Sequence, residues 1–285
     1  MIKVGLIGLG RTGSSVASGL LSNPEMSLVM ALARPGSAKV GKDLGDILGT
    51  KPTGLIVKGS NRLDSELLQT NPDVIVDFTN PEAGLKNLRI VALHGIPIII
   101  GTTGFNHEQL QSIQLMAQQF KTTVVYAPNL SLGINVLLNL VLKAAEFLAD
   151  WDVEIIETHH RHKKDAPSGT ALKIARELGA YLDLPEDHIA FGHERTAPRK
   201  NNTIGVHAIR GGGVTGIHQV VFLSENEKLE IKHESHNRAN FVDCLFRVIK
   251  WIISARPGYY TVEEALGLSP SPHHHPKPEH FQIVG

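Results

Sequence analysis

The sequence is poor in cysteine, in net charge and in long apolar runs. Its single cysteine, Cys244, cannot close an intrachain disulfide or build a multi-cysteine metal site, which fits a reducing, cytoplasmic setting. Lys and Arg together number 28, matched by 28 Asp and Glu, so the formal net charge is zero and no overall field draws the chain to nucleic acid or to an anionic membrane. No apolar run approaches the roughly 18–20 residues of a bilayer span. The greasiest stretch, residues 136–148, is broken by Asn139, Lys143 and Glu146. The first residues lack the basic segment, longer apolar core and cleavage site of a signal peptide and read as a strand. No internal repeat is present. What remains is a 285-residue chain, 42% hydrophobic, with room for two domains.

Short Val- and Ile-rich runs alternate with helical patterns through the first half. Strands are expected over 3–7, 28–33, 55–58, 73–78, 96–100 and 123–126, with helices between them, including 81–94 and 107–120 behind cap residues Asn80 and Asn106. Such alternation predicts an α/β, Rossmann-like, doubly wound parallel sheet. After Asn129 the texture changes to a long helix over 132–149, a strand over 153–159, a helix opened by Ser168, and strands over 203–209, 216–223 and 228–234. This is the pattern of a second, α+β domain with a mixed sheet. Domain limits are expected at 1–129, completed by 239–268 with its apolar helix over 241–253, and at 130–238. Residues 269–285, rich in Pro and His, read as a flexible tail with no metal-binding role.

Gly8-Leu9-Gly10-Arg11-Thr12-Gly13 follows the first strand and opens a helix. At that place glycines permit a tight turn, close backbone approach to a pyrophosphate and tight helix packing, while the helix N–H groups face the anion. An ordinary glycine turn is the plainer reading. An acidic residue that would hold the ribose 2′-OH of NADH is expected at the end of the second strand, but Ala33-Arg34 stands there. Arg34, reinforced by Lys39 and Lys42, suits a 2′-phosphate, so NADPH is favoured and NADH remains possible. Gly101-Thr102-Thr103-Gly104, Ala127-Pro128-Asn129-Leu130 and Asp77-Phe78-Thr79 all fall at carboxyl ends of strands, where open α/β sheets bind ligands.

Residues 157–170 are the most unusual stretch. His159, His160, Arg161, His162, Lys163 and Lys164 crowd together and are followed by Asp165, Ala166, Pro167, Ser168, Gly169 and Thr170. A solvated basic loop and a histidine metal site are alternatives, although the neighbouring cations repel a metal ion. A helix start directly behind the cations favours capture of a carboxylate. With a nicotinamide donor, this predicts reduction of a small, multiply charged acid, with histidine or lysine delivering the proton.

The run from His159 to Leu172 resembles the signature of the dihydrodipicolinate (4-hydroxy-tetrahydrodipicolinate) reductase family. Agreement extends through Gly8 to Gly13, Asp77-Phe78-Thr79, Gly101 to Phe105, Asn129, Ser131-Leu132-Gly133, Thr203-Ile204-Gly205, Arg210 and His218. The resemblance implies NAD(P)H-dependent formation of tetrahydrodipicolinate on the diaminopimelate route to lysine, by a homotetramer associating through its second domains. It further implies His159 as the acid/base residue and Lys163 as second proton donor. His160 and the Ser168-Gly169-Thr170 helix start would bind the carboxylates of a dicarboxylate heterocycle, and Arg238 would lie near the cofactor. Departures from the family pattern are a shorter first loop with Thr12 in place of Met, Ala33 in place of an acid, and Pro128 in place of a small residue. A dehydrogenase of another imine or aldehyde and a non-enzymatic NADPH sensor are the competing readings. Neither accounts for the cationic loop together with His159 and Lys163.

Overall fold

The structure, a computed structural model, describes residues 1–193, 196–237 and 239–268. The expected tail and Arg238 lie outside the described residues. Two compact units are formed, Met1–Leu132 with Arg238–Gly267, and Gly133–Asn237. Leu132 packs on the core of the first, which sets the boundary after it rather than after Asn129.

The chain begins β1 (Ile2–Ile7), α1 (Arg11–Ser22), β2 (Met26–Ala33), α2 (Leu44–Leu48), β3 (Lys58–Gly59), α3 (Leu63–Thr70), β4 (Val74–Asp77), α4 (Pro81–Leu93), β5 (Ile98–Ile100), α5 (His107–Gln119) and β6 (Thr123–Tyr126). It continues through α6 (Leu132–Ala145), β7 (Asp152–His159), α7 (Gly169–Tyr181), β8 (Ile189–Phe191), β9 (Ile204–Arg210), β10 (Gly216–Leu223) and β11 (Lys228–Ser235). It ends with α8 (Ala239–Ile252), β12 (Gly258–Thr261) and α9 (Val262–Ala265).

In the first unit the strands lie in the order β12-β6-β5-β4-β1-β2-β3, all neighbours parallel. The order reverses between β1 and β4, the position where such sheets open a ligand crevice at their carboxyl ends. Period-two alternation divides the core. Val4, Leu6, Val74 and Val76 join Val16 and Leu20 of α1 and Leu245, Val248 and Ile249 of α8 on one face. Ile7, Ile75 and Ile98 join Leu88 and Val91 of α4 and Ile113 of α5 on the other. Each such side chain contributes about 1.5–3 kcal/mol on burial. Helix starts follow cap chemistry. Asn80 accepts the Ala83 N–H ahead of Pro81, and Asn106 forms a capping box with Gln109.

Some elements depart from expectation. The strand expected over 55–58 contracts to β3, because the Asp43 carboxylate gathers the N–H groups of Gly45, Thr53 and Gly54 and draws Ile56 into an antiparallel bridge. α6 stops at Ala145 instead of 149, where the Phe147 N–H turns to the Ala144 carbonyl three residues back. β8 and β12, of three and four residues, carry only half-buried or exposed side chains and had no apolar alternation to announce them.

The second unit is a five-stranded mixed sheet in the order β11-β10-β7-β9-β8. One face packs Val153, Ile155, Ile204, Val220 and Phe222 against Leu138 and Val141 of α6 and Ile174 and Leu178 of α7. The same alternation along β7 turns Glu157 and His159 to that face at the strand's end. Among the described residues no helix is long and apolar enough to cross a membrane.

Candidate active site

In the first unit the β1-to-α1 turn borders a cleft of about 400 Å3, lined among others by Gly8, Leu9, Gly10, Ala33, Arg34 and Lys39. Gly8 has φ +96°, and a Cβ on it would run into the Phe78 carbonyl. A Cβ on Gly13 would overlap the Gly8 carbonyl. Gly10 has open space at its Cβ position, so two glycines serve turn and packing while the third leaves room for a ligand. Gly10 is also the N-cap of α1, and no side chain caps that helix end. Its first turn carries exposed Arg11 and Thr12 and leaves backbone donors for an anion. Leu9 is buried and joins the core behind the loop. Lys39 donates through Nζ to the Leu9 carbonyl and reaches Ser14 Oγ at 3.5 Å. Arg34 is exposed at the cleft, and among the described residues neither Lys42 nor any carboxylate lines it. These residues fit a pyridine dinucleotide.

The rim beside it is organised by Asp77, which is fully buried at the end of β4. Burial raises its carboxyl above the ordinary range against the opposing pull of hydrogen bonds from Thr79, Asn87 and Thr102. It accepts from Thr79 N–H at 2.8 Å, Thr79 Oγ1 at 2.6 Å, Asn87 Nδ2 at 2.7 Å and Thr102 Oγ1 at 3.3 Å. Thr102 is thus turned inward. Gly101 makes room for the Phe78 ring, which a Cβ would strike. Ala127 and Leu130 are buried in the core, so Thr103, Gly104, Pro128 and Asn129 supply the accessible part of this rim. Asn129 Oδ1 accepts from the Ser131 N–H at 3.0 Å.

The second unit gathers the other chemistry-bearing residues. Glu157, fully buried on β7, accepts from Arg210 Nη2 at 2.6 Å and the Ser168 N–H at 3.0 Å through one oxygen. Its other oxygen pairs with His159 Nδ1. Burial works to raise the Glu157 carboxyl, but the bonds from Arg210, His159 and Ser168 outweigh it and hold it below the usual range. Burial pushes the His159 imidazole down, against the pull of Glu157. A neutral His159 beside an ionised Glu157 must carry its proton on Nδ1, which leaves Nε2 as an acceptor. Its ring lies over Gly216, where a Cβ would stand 3.0 Å from Nε2, and 5.2 Å from the His218 ring. His218 is pushed down to about 3 by burial first and His159 second.

Ser168 is buried, caps α7 by accepting the Ala171 N–H at 3.2 Å, and pairs its hydroxyl with His218 Nε2 at 3.2 Å. Its hydroxyl is therefore spent on structure, which leaves Gly169, exposed with open space around it, and half-buried Thr170 at the surface of the helix start. Lys163 Nζ holds both Asp165 oxygens at 2.9 Å, and this ammonium is the main cause that keeps the Asp165 carboxyl below its usual range, with the Gly169 backbone at the helix start a lesser one. An ammonium is thus clamped on a carboxylate next to a helix start. His160 is half-buried in this loop, and its carbonyl accepts the Lys163 N–H at 3.1 Å. Glu157 and the tasks of Arg210 and His218 were missed by sequence reasoning. Their signal was the i, i+2 spacing of Glu157 and His159, which puts both on one strand face.

A parallel dinucleotide sheet with a separate unit built around an imidazole, a lysine and a carboxylate trap defines an NAD(P)H-dependent oxidoreductase. Two family profiles match the chain, "Dihydrodipicolinate reductase, N-terminus" over residues 2–130 and "Dihydrodipicolinate reductase, C-terminus" over 133–266. The chain belongs to the dihydrodipicolinate reductase family. It is 37% identical over 270 residues to the 4-hydroxy-tetrahydrodipicolinate reductase of Methanocaldococcus jannaschii, covering 94% of this chain and 98% of that one. To the enzyme of the same name from Methylococcus capsulatus it is 39% identical over 275 residues, covering 94% and 99%. Among solved structures it matches dipicolinate-bound dihydrodipicolinate reductase from Paenisporosarcina sp. TG-14 with a TM-score of 0.74 and 27% identity, over 93% of this chain and 98% of that one. An amine dehydrogenase from Mycobacterium smegmatis, at TM-score 0.64 and 18% identity over 92% and 95%, shares the fold.

Proposed function

We propose that the chain reduces 4-hydroxy-tetrahydrodipicolinate to tetrahydrodipicolinate with NAD(P)H, on the diaminopimelate route to lysine. Lys163 Nζ held on a carboxylate beside the start of α7, in the same unit as the Glu157–His159 pair, carries this reading. The bound reduced nicotinamide supplies the hydride. A carboxylate of the ring competes with Asp165 for the Gly169 N–H, with Thr170 and His160 beside it, and so frees Lys163. Loss of the ring hydroxyl as water gives a conjugated system, and addition of one hydride and one proton to it balances to the product. Lys163 Nζ donates its proton to the carbon left electron-rich. Glu157 fixes the His159 ring so that Nε2 receives a proton and returns it during the cycle. Lys163→Ala and His159→Ala are each expected to lower kcat by about 10²- to 10⁴-fold while NADPH binding persists. Full activity in both overturns the assignment.

For the cofactor we favour NADPH, with NADH as the weaker donor, because Arg34 and Lys39 border a cleft lined by no carboxylate. Arg238 is kept as a cofactor-side residue on the family resemblance alone. Association into a homotetramer through the second unit's sheet is supported by its face opposite α7, where Thr158 aligns with Ile217 and with exposed Ile209. Sedimentation at a single-chain mass would refute it. A cytoplasmic setting agrees with the one thiol, Cys244, which is buried and pushed up to about 12 by that burial.

A further inference from the structure

On the second unit's sheet, three side chains meet that the reaction does not use. Glu154 of β7, His207 of β9 and His193, two residues beyond β8, bring one ligand atom each within 4.8 Å of one another. Glu154 Oε1 lies 3.1 Å from His193 Nε2, and Oε2 lies 2.7 Å from His207 Nε2. Tetrahedral metal bonds of about 2.0–2.1 Å set ligand atoms about 3.3 Å apart; the His193 contact is near that spacing, and the His207 contact is short enough to open onto it with a small shift of the side chains. We propose that these three residues form a divalent transition-metal site, with zinc the ion that two imidazoles and a carboxylate suit best.

Several features of the fold build this site. Glu154 points to the sheet face opposite Glu157 and His159, because odd and even residues of β7 alternate, so the cluster is separate from the reacting groups. Its carboxylate lies across β9 over Gly205, where any Cβ would collide with it. That places Oε2 beside His207, two residues further along the same strand. Arg199 orients the carboxylate from behind, donating to Glu154 Oε1 at 3.0 Å, while its charge is also met by Asp152 at 2.6 Å. Two carboxylates thus face one guanidinium, and an entering cation meets no excess of positive charge. In the single chain the side chains of Glu154, His193 and His207 keep 13%, 42% and 32% exposure. Separations of 39 and 53 residues from Glu154 hide the set from any spacing motif.

The test uses the full chain with His273, His274, His275 and His280 replaced by Gln, which removes the tail's imidazoles, and cobalt(II) as a coloured probe. Equilibrium dialysis and visible absorption are expected to give one cobalt per chain with the intense bands of a four- or five-coordinate ion. His193→Ala, His207→Ala and Glu154→Gln should each weaken binding at least as much as the roughly 100-fold that marks the upper end of outer-shell changes. An unchanged urea-unfolding transition read from Trp151, in the Trp251→Phe background, certifies that the second unit of each variant folds. No cobalt on the parent, or unchanged stoichiometry and spectrum in the His193→Ala/His207→Ala double variant, overturns the site and leaves a cluster that holds only protons.

Discussion

Replacing His218 by glutamine should flatten the acid sensitivity of the second unit. The buried imidazole has its value pushed to about 3, by loss of water first and by His159 second, from an ordinary value near 6.5. Between those values the unfolded chain binds a proton that the folded chain refuses. The group's favourable contribution is therefore complete above about pH 6.5 and is lost progressively as the pH falls toward 3. At about 1.4 kcal/mol per unit, going from pH 7.5 to pH 5 costs the folded state about 2 kcal/mol through His218 alone. His218 is 5% exposed, so solvent screening does not dilute the effect. Glutamine stays neutral and keeps a donor for Ser168 Oγ. The chain has two tryptophans, and Trp251→Phe leaves Trp151, next to β7, to report on the second unit. Urea unfolding by fluorescence at both pH values, in that background with and without His218→Gln, should show a drop smaller by about 2 kcal/mol in the glutamine variant. Equal drops would refute the claim that a proton is excluded here by burial.

Three further outcomes follow from the same geometry. Glu157→Gln leaves Arg210 without its buried carboxylate and His159 without its anchor, and should destabilise the second unit by about 3–5 kcal/mol in urea while lowering kcat. Unchanged stability would show that the pairing contributes nothing. Gly216→Ala inserts a methyl 3.0 Å from His159 Nε2, and by displacing the ring should reduce kcat about 10- to 100-fold with the KM for NADPH unaltered. Arg34→Ala combined with Lys39→Ala should lower the NADPH-to-NADH ratio of kcat/KM roughly 10- to 100-fold, the worth of one or two charge-assisted hydrogen bonds. An unaltered ratio would place the phosphate elsewhere.

The parallel sheet was legible because β5 and all of β4 but its final Asp77 are apolar and buried on both faces, as is β1 from Val4 onward. β12 was not, since an edge strand with four half-buried residues needs no periodic pattern. In the site, Lys163 and the helix start at Ser168 could be read from adjacency in sequence. The work of Ser168 could not, because its hydroxyl is committed to His218, fifty residues away. Thr102 is a similar case: its rim position was visible, but its commitment to Asp77 depends on neighbouring strands β4 and β5. Sequence separations of 53 residues likewise concealed the Arg210–Glu157 pair.

The last strand and helix of the first unit come from the far end of the chain, with consequences for anyone dividing the protein. A fragment stopped at residue 130, where the amino-terminal family profile ends, would lack Leu245, Val248, Ile249 and Ile252, all fully enclosed in that unit's hydrophobic interior. Its outermost strand β6 would also show a bare hydrogen-bonding edge where β12 now lies. The half that looks like a portable nucleotide module is thus sewn shut by the carboxyl-terminal residues. The second unit is an insert with two stitches, and the first can mature only once residues as far as α9 have been made.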